Sequence, residues 1–176
     1  MRRKHLILVG LPGAGKTTVG PLVAQALGVS FVDIDPLIEE RFGTPVTEIF
    51  STRGEEAFRL LEGELVTQTM EAVAPQVIAP GGGWAAQPGN LELVAGGAVT
   101  VYLVAAPETA SARTGSGTHR PLLDEGCADR QVRMRELYQQ RERFYSRCDA
   151  AVETDGRTPA EVADAVVQLA RSKARW

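Results

Sequence analysis

The segment from Leu6 to Leu22 constrains this chain more than any other. An apolar run, Leu6-Ile7-Leu8-Val9, leads into Gly10-Leu11-Pro12-Gly13-Ala14-Gly15-Lys16-Thr17, and a helix-like stretch follows. The pattern is G-x-x-x-x-G-K-[ST], a phosphate-binding loop, set between a buried strand and a helix as its chemistry requires. Glycines let the backbone turn tightly enough for successive N–H groups to face phosphate oxygens. The helix adds its unpaired N-terminal N–H groups and the positive end of its dipole. Lys16 is placed to reach the β- and γ-phosphates, and the Thr17 hydroxyl to join a Mg²⁺ shell. A chain with this start binds a nucleoside triphosphate.

Beyond the loop, strands and helices alternate. Strands are expected at His5–Val9, Val29–Asp33, Gln76–Ala79, Ala98–Ala105 and Ala150–Glu153, with the most continuous apolar run, Ala98–Ala105, at the sheet centre. The first helix should run from about Lys16 to Ala26, with Leu22, Val23, Ala26 and Leu27 inward and Gly28 closing it. Asp35-Pro36 reads as the N-cap and first turn of the next helix, ended by Gly43, and Thr44-Pro45 as another start. Longer helices follow at Glu55–Met70 and about Asp129–Arg147. Thr158-Pro159-Ala160-Glu161 forms a capping box before the last one. This alternation predicts a three-layer α/β fold, a parallel sheet of about five strands with helices on both faces. Thr114–Gly126, rich in Gly, Thr and Ser, reads as a mobile lid.

At 176 residues a single domain is expected. With 22 acidic and 19 basic residues, net charge −3, no overall field draws the protein to nucleic acid or a membrane surface. No apolar run approaches the roughly 18 residues of a membrane span, and the basic N-terminus runs into the phosphate loop too soon for a signal peptide. Cys127 and Cys148 form no zinc or disulfide pattern. A cytoplasmic location fits.

The phosphate loop is shared by GTPases, motor ATPases and small-molecule kinases, so other residues must decide. Asp33 and Asp35, at the end of the second strand, are carboxylates placed to hold Mg²⁺ or accept a hydroxyl proton; both also suit helix capping. Gly81-Gly82-Gly83 after a strand permits close backbone approach to a ligand. Arg59 stands four residues after Glu55, the spacing of a surface ion pair. Arg120 falls in the expected lid, where it can be brought over a transferring phosphoryl group. Arg141, on a charged helix, reads by itself as solvated surface.

In register, the phosphate loop, VDID at Val32–Asp35, GEEAFR at Gly54–Arg59, the three glycines, RTGSGTHRPLL at Arg113–Leu123 and RERFY at Arg141–Tyr145 resemble shikimate kinase. The resemblance runs from about Leu6 to Leu169 and implies a nucleoside monophosphate kinase-like fold. It implies one kinase domain over 1–176, with substrate-binding helices at about 35–62 and a lid at about 114–126. It also implies MgATP-dependent phosphorylation of the 3-hydroxyl of shikimate. By motif, Gly13, Ala14, Gly15, Lys16, Thr17 and Thr18 would cradle ATP, with Thr17 on Mg²⁺ and Asp33 in its outer shell. Asp35 would hold the reacting hydroxyl as candidate base. Arg59 and Arg141 would clamp the shikimate carboxylate, and Gly81, Gly82 and Gly83 would meet the substrate, Gly82 donating to a hydroxyl. Arg120 would contact the ATP phosphates, and Arg113 and Arg157 would lie around the adenine.

Two positions depart from the family pattern. Trp84 stands where a small residue is common, and Arg141-Glu142-Arg143-Phe144-Tyr145 replaces R-x-P-L-Y. Trp84 either packs into the core or reshapes the pocket for another polyhydroxylated acid. A gluconate or nucleoside monophosphate kinase is the enzymatic alternative, opposed by Asp35, Arg59 and Arg141 together. A non-catalytic relative would be expected to lack Lys16, Asp35 or Arg120, and a switch GTPase to carry Asn-Lys-x-Asp. A monomer is expected.

Overall fold

The computed structural model describes residues 4–114 and 129–173. Five strands, β1 (His5–Val9), β2 (Ser30–Asp33), β3 (Gln76–Ala79), β4 (Ala98–Val104) and β5 (Ala150–Glu153), form one sheet in the order β2-β3-β1-β4-β5. Every pairing is parallel, with Ile7 opposite Ile78 on one side and Thr100 on the other. All five residues of β1 are buried, because helices cover both faces of a parallel sheet. The middle strand is therefore β1; β4, expected at the centre from its apolar run, lies one place away.

Among the described residues, seven α-helices surround the sheet: α1 (Lys16–Leu27), α2 (Ile34–Phe42), α3 (Val46–Met70), α4 (Asn90–Val94), α5 (Pro107–Thr114), α6 (Arg130–Tyr145) and α7 (Pro159–Lys173). Helix α1 packs against α7, α2 against α3, and α5 against α6. The chain leaves β1 towards β2 on one side and later crosses to β4 on the other. The C-terminal end of β1, where the strand order reverses, is the crevice in which such sheets bind ligands.

Three local readings change. Asp33, not Asp35, is the N-cap of α2: its Oδ1 accepts the Asp35 N–H at 3.2 Å, and the helix begins at Ile34. That start buries Ile34 completely and places Pro36 third in the helix, where a missing N–H still costs nothing. Of the stripe expected on α1, Val23 is buried but Leu22, 38% exposed, and Ala26 face outward, and Val19, Gly20 and Ala24 take the inner positions. Finally, α3 is continuous from Val46 except for a kink at Gly54 (φ 80°, ψ 167°), which separates the two helices read from the sequence. The capping box stands as expected, with Thr158 N–H donating to Glu161 Oε2 at 2.8 Å. Cys148 is half-buried and unpaired, its thiol pushed up to about 11 by burial, so it is a packing residue. Cys127 lies outside the described residues.

Candidate active site

The loop after β1 wraps the mouth of a cavity of about 450 Å³ at the C-terminal end of the sheet. Gly13, Gly15, Lys16, Thr17 and Thr18 line one side, Asp33, Asp35 and Gly81 the other, and Arg113 and Thr114 close a third. Positive φ at Gly13 (83°) and Gly15 (99°) bends the loop, and a Cβ at Gly13 would lie 2.2 Å from the Ala110 carbonyl. Lys16 is buried, its ammonium donating to the Gly10 and Leu11 carbonyls at 2.9 and 3.1 Å. The loop thus holds the Lys16 cation at the cavity wall. A neighbouring cavity of about 150 Å³ is lined by Ala14, Thr18, Arg113, Thr154 and Arg157. Arg113 is anchored there, donating to Thr154 Oγ1 and to the Thr154 carbonyl at 2.9 and 3.0 Å. Arg157 donates to the Glu153 and Glu161 carbonyls at 3.3 and 3.4 Å.

The side expected to take the acid substrate is built by α3, the three glycines and α6. Arg59 and Arg141, which read from sequence as solvated surface, are 7% and 6% exposed. Arg59 is held by a carboxylate the sequence analysis did not single out. Glu62, fully buried, receives Arg59 Nη1 at 2.7 Å on Oε2 and the Gly81 N–H at 2.7 Å on Oε1. Glu55 Oε1 takes Nε and Nη2 at 3.3 and 3.2 Å, and the guanidinium lies over the rings of Phe58 and Phe50 at 5.2 and 5.8 Å. These bonds leave donors on both terminal nitrogens for an incoming planar anion. Burial opposes the Arg59 charge, but Glu62 and Glu55 more than offset it. The Glu62 carboxyl is pushed up by burial, pulled back by Arg59 and raised further by Asp35. Periodicity marks Glu62: it lies on the stripe of Phe58, Leu65 and Val66, as Arg141 lies on that of Met134, Leu137 and Tyr145.

Each of the three glycines admits a different neighbour. A Cβ at Gly81 would lie 2.5 Å from Glu62 Oε1 and 3.5 Å from Asp35 Oδ1. At Gly82 it would meet Pro12 Cδ at 2.8 Å and the Gly10 carbonyl at 3.0 Å; at Gly83, Arg59 Nη2 at 2.4 Å. The segment therefore joins the phosphate loop, the two carboxylates and Arg59 at van der Waals distance. On α6, the Tyr145 hydroxyl donates to the Gly82 carbonyl at 2.5 Å, and its ring stacks on Tyr102 at 4.9 Å. Arg141 Nη1 is buried without a hydrogen-bond partner among the described residues. Trp84, 1% exposed, belongs to the core in a 3₁₀ turn, and its carbonyl accepts from Asn90 Nδ2 at 2.9 Å. Arg120 and most of the expected lid lie within residues 115–128, outside the described residues.

The structure thus brings together the expected nucleotide side and acid-binding side, with Asp35 between them. The shikimate kinase family model matches residues 12–171. The shikimate kinase of Moorella thermoacetica is 43% identical over 159 residues, covering 90% of each chain. A solved shikimate kinase from Acinetobacter baumannii, in complex with shikimate, superposes with a TM-score of 0.89 at 32% identity, covering 96% of this chain and 93% of that one. Deoxyadenosine kinase from M. mycoides, at 14% identity and a TM-score of 0.66 over 96% of this chain and 99% of that one, shares the fold alone. The chain belongs to the shikimate kinase family.

Proposed function

We propose that this protein transfers the γ-phosphoryl group of ATP to the 3-hydroxyl of shikimate, giving shikimate 3-phosphate and ADP for aromatic amino acid biosynthesis. The observation that carries this reading is two buried guanidiniums, Arg59 against the glycines that abut the phosphate loop and Arg141 one turn before Tyr145, which bonds Gly82. A buried cation with unused donors suits a planar carboxylate far better than a neutral sugar, and two of them set its orientation. With the carboxylate held there, the ring projects towards Asp35, whose Oδ1 is shielded from solvent.

Phosphoryl transfer asks the protein mainly for position and electrostatics. Gly13, Ala14, Gly15 and Thr18 bind and orient the triphosphate through the loop and the start of α1. Lys16 neutralises charge on the β- and γ-phosphates. Asp35 orients the 3-hydroxyl and accepts its proton, while Gly81, Gly82 and Gly83 bring backbone to the substrate. Arg120 stabilises charge on the moving phosphoryl group, and Arg113 and Arg157 flank the adenine. Thr17 and Asp33 would hold Mg²⁺, Thr17 directly and Asp33 in the outer shell. Both line the cavity, and among the described residues no group of three or more His, Cys, Asp or Glu gathers, which suits a small cation bound mostly through phosphates and water. When bound, the ion would supply positive charge to offset the charge that develops on the phosphates.

The protein acts as a single kinase domain over 1–176, with substrate helices at about 35–62 and a lid at about 114–126. We further propose a cytoplasmic monomer with small-molecule partners only; no described helix is long and apolar enough to cross a membrane. The test is ADP release from MgATP with shikimate, beside gluconate, quinate and a nucleoside monophosphate panel. Stimulation by shikimate alone is expected. Stimulation by gluconate or a nucleoside monophosphate instead would overturn the reading.

A further inference from the structure

Arg141 and Tyr145 stand one helical turn apart on the buried face of α6, where residues four apart are neighbours. Tyr145 is fully buried, and its hydroxyl reaches across 63 residues of sequence to donate to the Gly82 carbonyl. Burial pushes this hydroxyl up to about 12, with the Arg141 and then the Arg59 guanidinium pulling the other way. It therefore remains a donor throughout the neutral range, and both guanidiniums lie near enough to act on it. One residue earlier, the Gly81 N–H is held by Glu62, which also holds Arg59. A continuous chain of bonds thus runs from Arg59 through Glu62 to Gly81, then along one peptide to Gly82 and Tyr145, beside Arg141. The turn that follows, Trp84–Ala86, packs on α6 and keeps the two elements in register.

From this juxtaposition we infer that Tyr145 is a positioning residue for the acid-binding site, its hydroxyl fixing Arg141 on α6 relative to the glycine segment and Arg59. The inference rests on the proposed shikimate reading. Tyr145 touches no reacting atom; it acts by fixing α6 against the glycine segment. The stacked Tyr102 ring packs against Tyr145 and supports the placement from which its hydroxyl donates to Gly82. Loss of the hydroxyl strands a buried carbonyl and lets α6 drift by tenths of an ångström, enough to misalign a bidentate clamp.

The experiment is Tyr145→Phe, which keeps ring and stack, measured alone and in an Arg141→Ala background. Tyr145→Phe should raise the KM for shikimate about tenfold, the equivalent of one lost hydrogen bond, and leave the KM for ATP within about twofold. In the Arg141→Ala background the same change should add less than about twofold, because the arginine it positions is gone. Shikimate affinity can be read without turnover from Trp84 fluorescence after Trp176→Phe, since these are the two tryptophans of the chain. An unchanged shikimate KM, equal changes for both substrates, or a full tenfold addition in the Arg141→Ala background would each overturn the inference. Absence of shikimate turnover by the unmodified protein would instead overturn the functional reading on which it rests.

Discussion

Replacing Glu62 by Gln changes one atom of the protein at the point where substrate side and glycine segment meet. Glu62 uses both oxygens as acceptors, each at 2.7 Å, one for Arg59 Nη1 and one for the Gly81 N–H. Glutamine offers one acceptor and one donor, so whichever way the amide turns, one contact becomes donor against donor. Removing one partner of a buried ion pair typically costs about 3–5 kcal/mol. Two features reduce that here: Glu55 still pairs with Arg59, and a neutral amide escapes the burial penalty that pushes the Glu62 carboxyl up. A net loss of about 2 kcal/mol follows, or a fall in Tm of about 4–8 °C for a chain of this size. The loosened Arg59 should raise the KM for shikimate about tenfold or more, with the KM for ATP within about twofold. Thermal melts and steady-state kinetics on the same preparation check both. A Tm within about 1 °C of the unmodified protein and an unchanged shikimate KM would refute the argument, since neither bond could then matter.

Three further outcomes are expected. Arg120→Ala should lower kcat by about thirty- to a thousand-fold, with little change in shikimate affinity; a rise confined to the shikimate KM would contradict the role given to Arg120. His5 is buried in β1, and burial, helped by Lys4, holds its pKa below 6.5, so the unfolded chain takes up the proton more readily. Stability should be greatest above pH 6.5 and decline as the pH falls from there, a loss that His5→Gln should diminish in urea titrations at about pH 7.5 and 5.5. Gly54→Ala meets nothing within 4 Å, so its cost comes only from the backbone at φ 80° and should be about 1–3 kcal/mol in denaturant titrations. An unchanged midpoint would show that α3 straightens freely there.

The elements that sequence reasoning placed well are those with strong local chemistry. The phosphate loop, the glycine end of α1 and the Thr158 capping box depend on residues within one turn of each other, and each stands where expected. Where two local signals competed, tertiary burial decided. Asp33 and Asp35 can both cap a helix, and the choice fell to Asp33 because starting at Ile34 puts that side chain wholly inside. The charged residues of the site were harder. Glu55 at i−4 made Arg59 look like a surface pair, and the pair exists, but the guanidinium is roofed by Phe50, Phe58 and the glycine segment. Arg141 was hidden among six arginines between positions 130 and 147. Only its spacing from Met134, Leu137 and Tyr145 distinguishes it, and that signal is visible once the helix is read as a stripe rather than a composition. Trp84, which could have reshaped the pocket, fills core space, because the chain turns inward after Gly83.

The central claim is that this chain moves a phosphoryl group to one hydroxyl of one acid. Phosphorus NMR of the product mixture from MgATP and shikimate tests it directly. The account predicts ADP with a single new phosphomonoester, coupled to the ring proton at C3 and absent without shikimate. Inorganic phosphate alone, or a phosphoester at another hydroxyl, would contradict it.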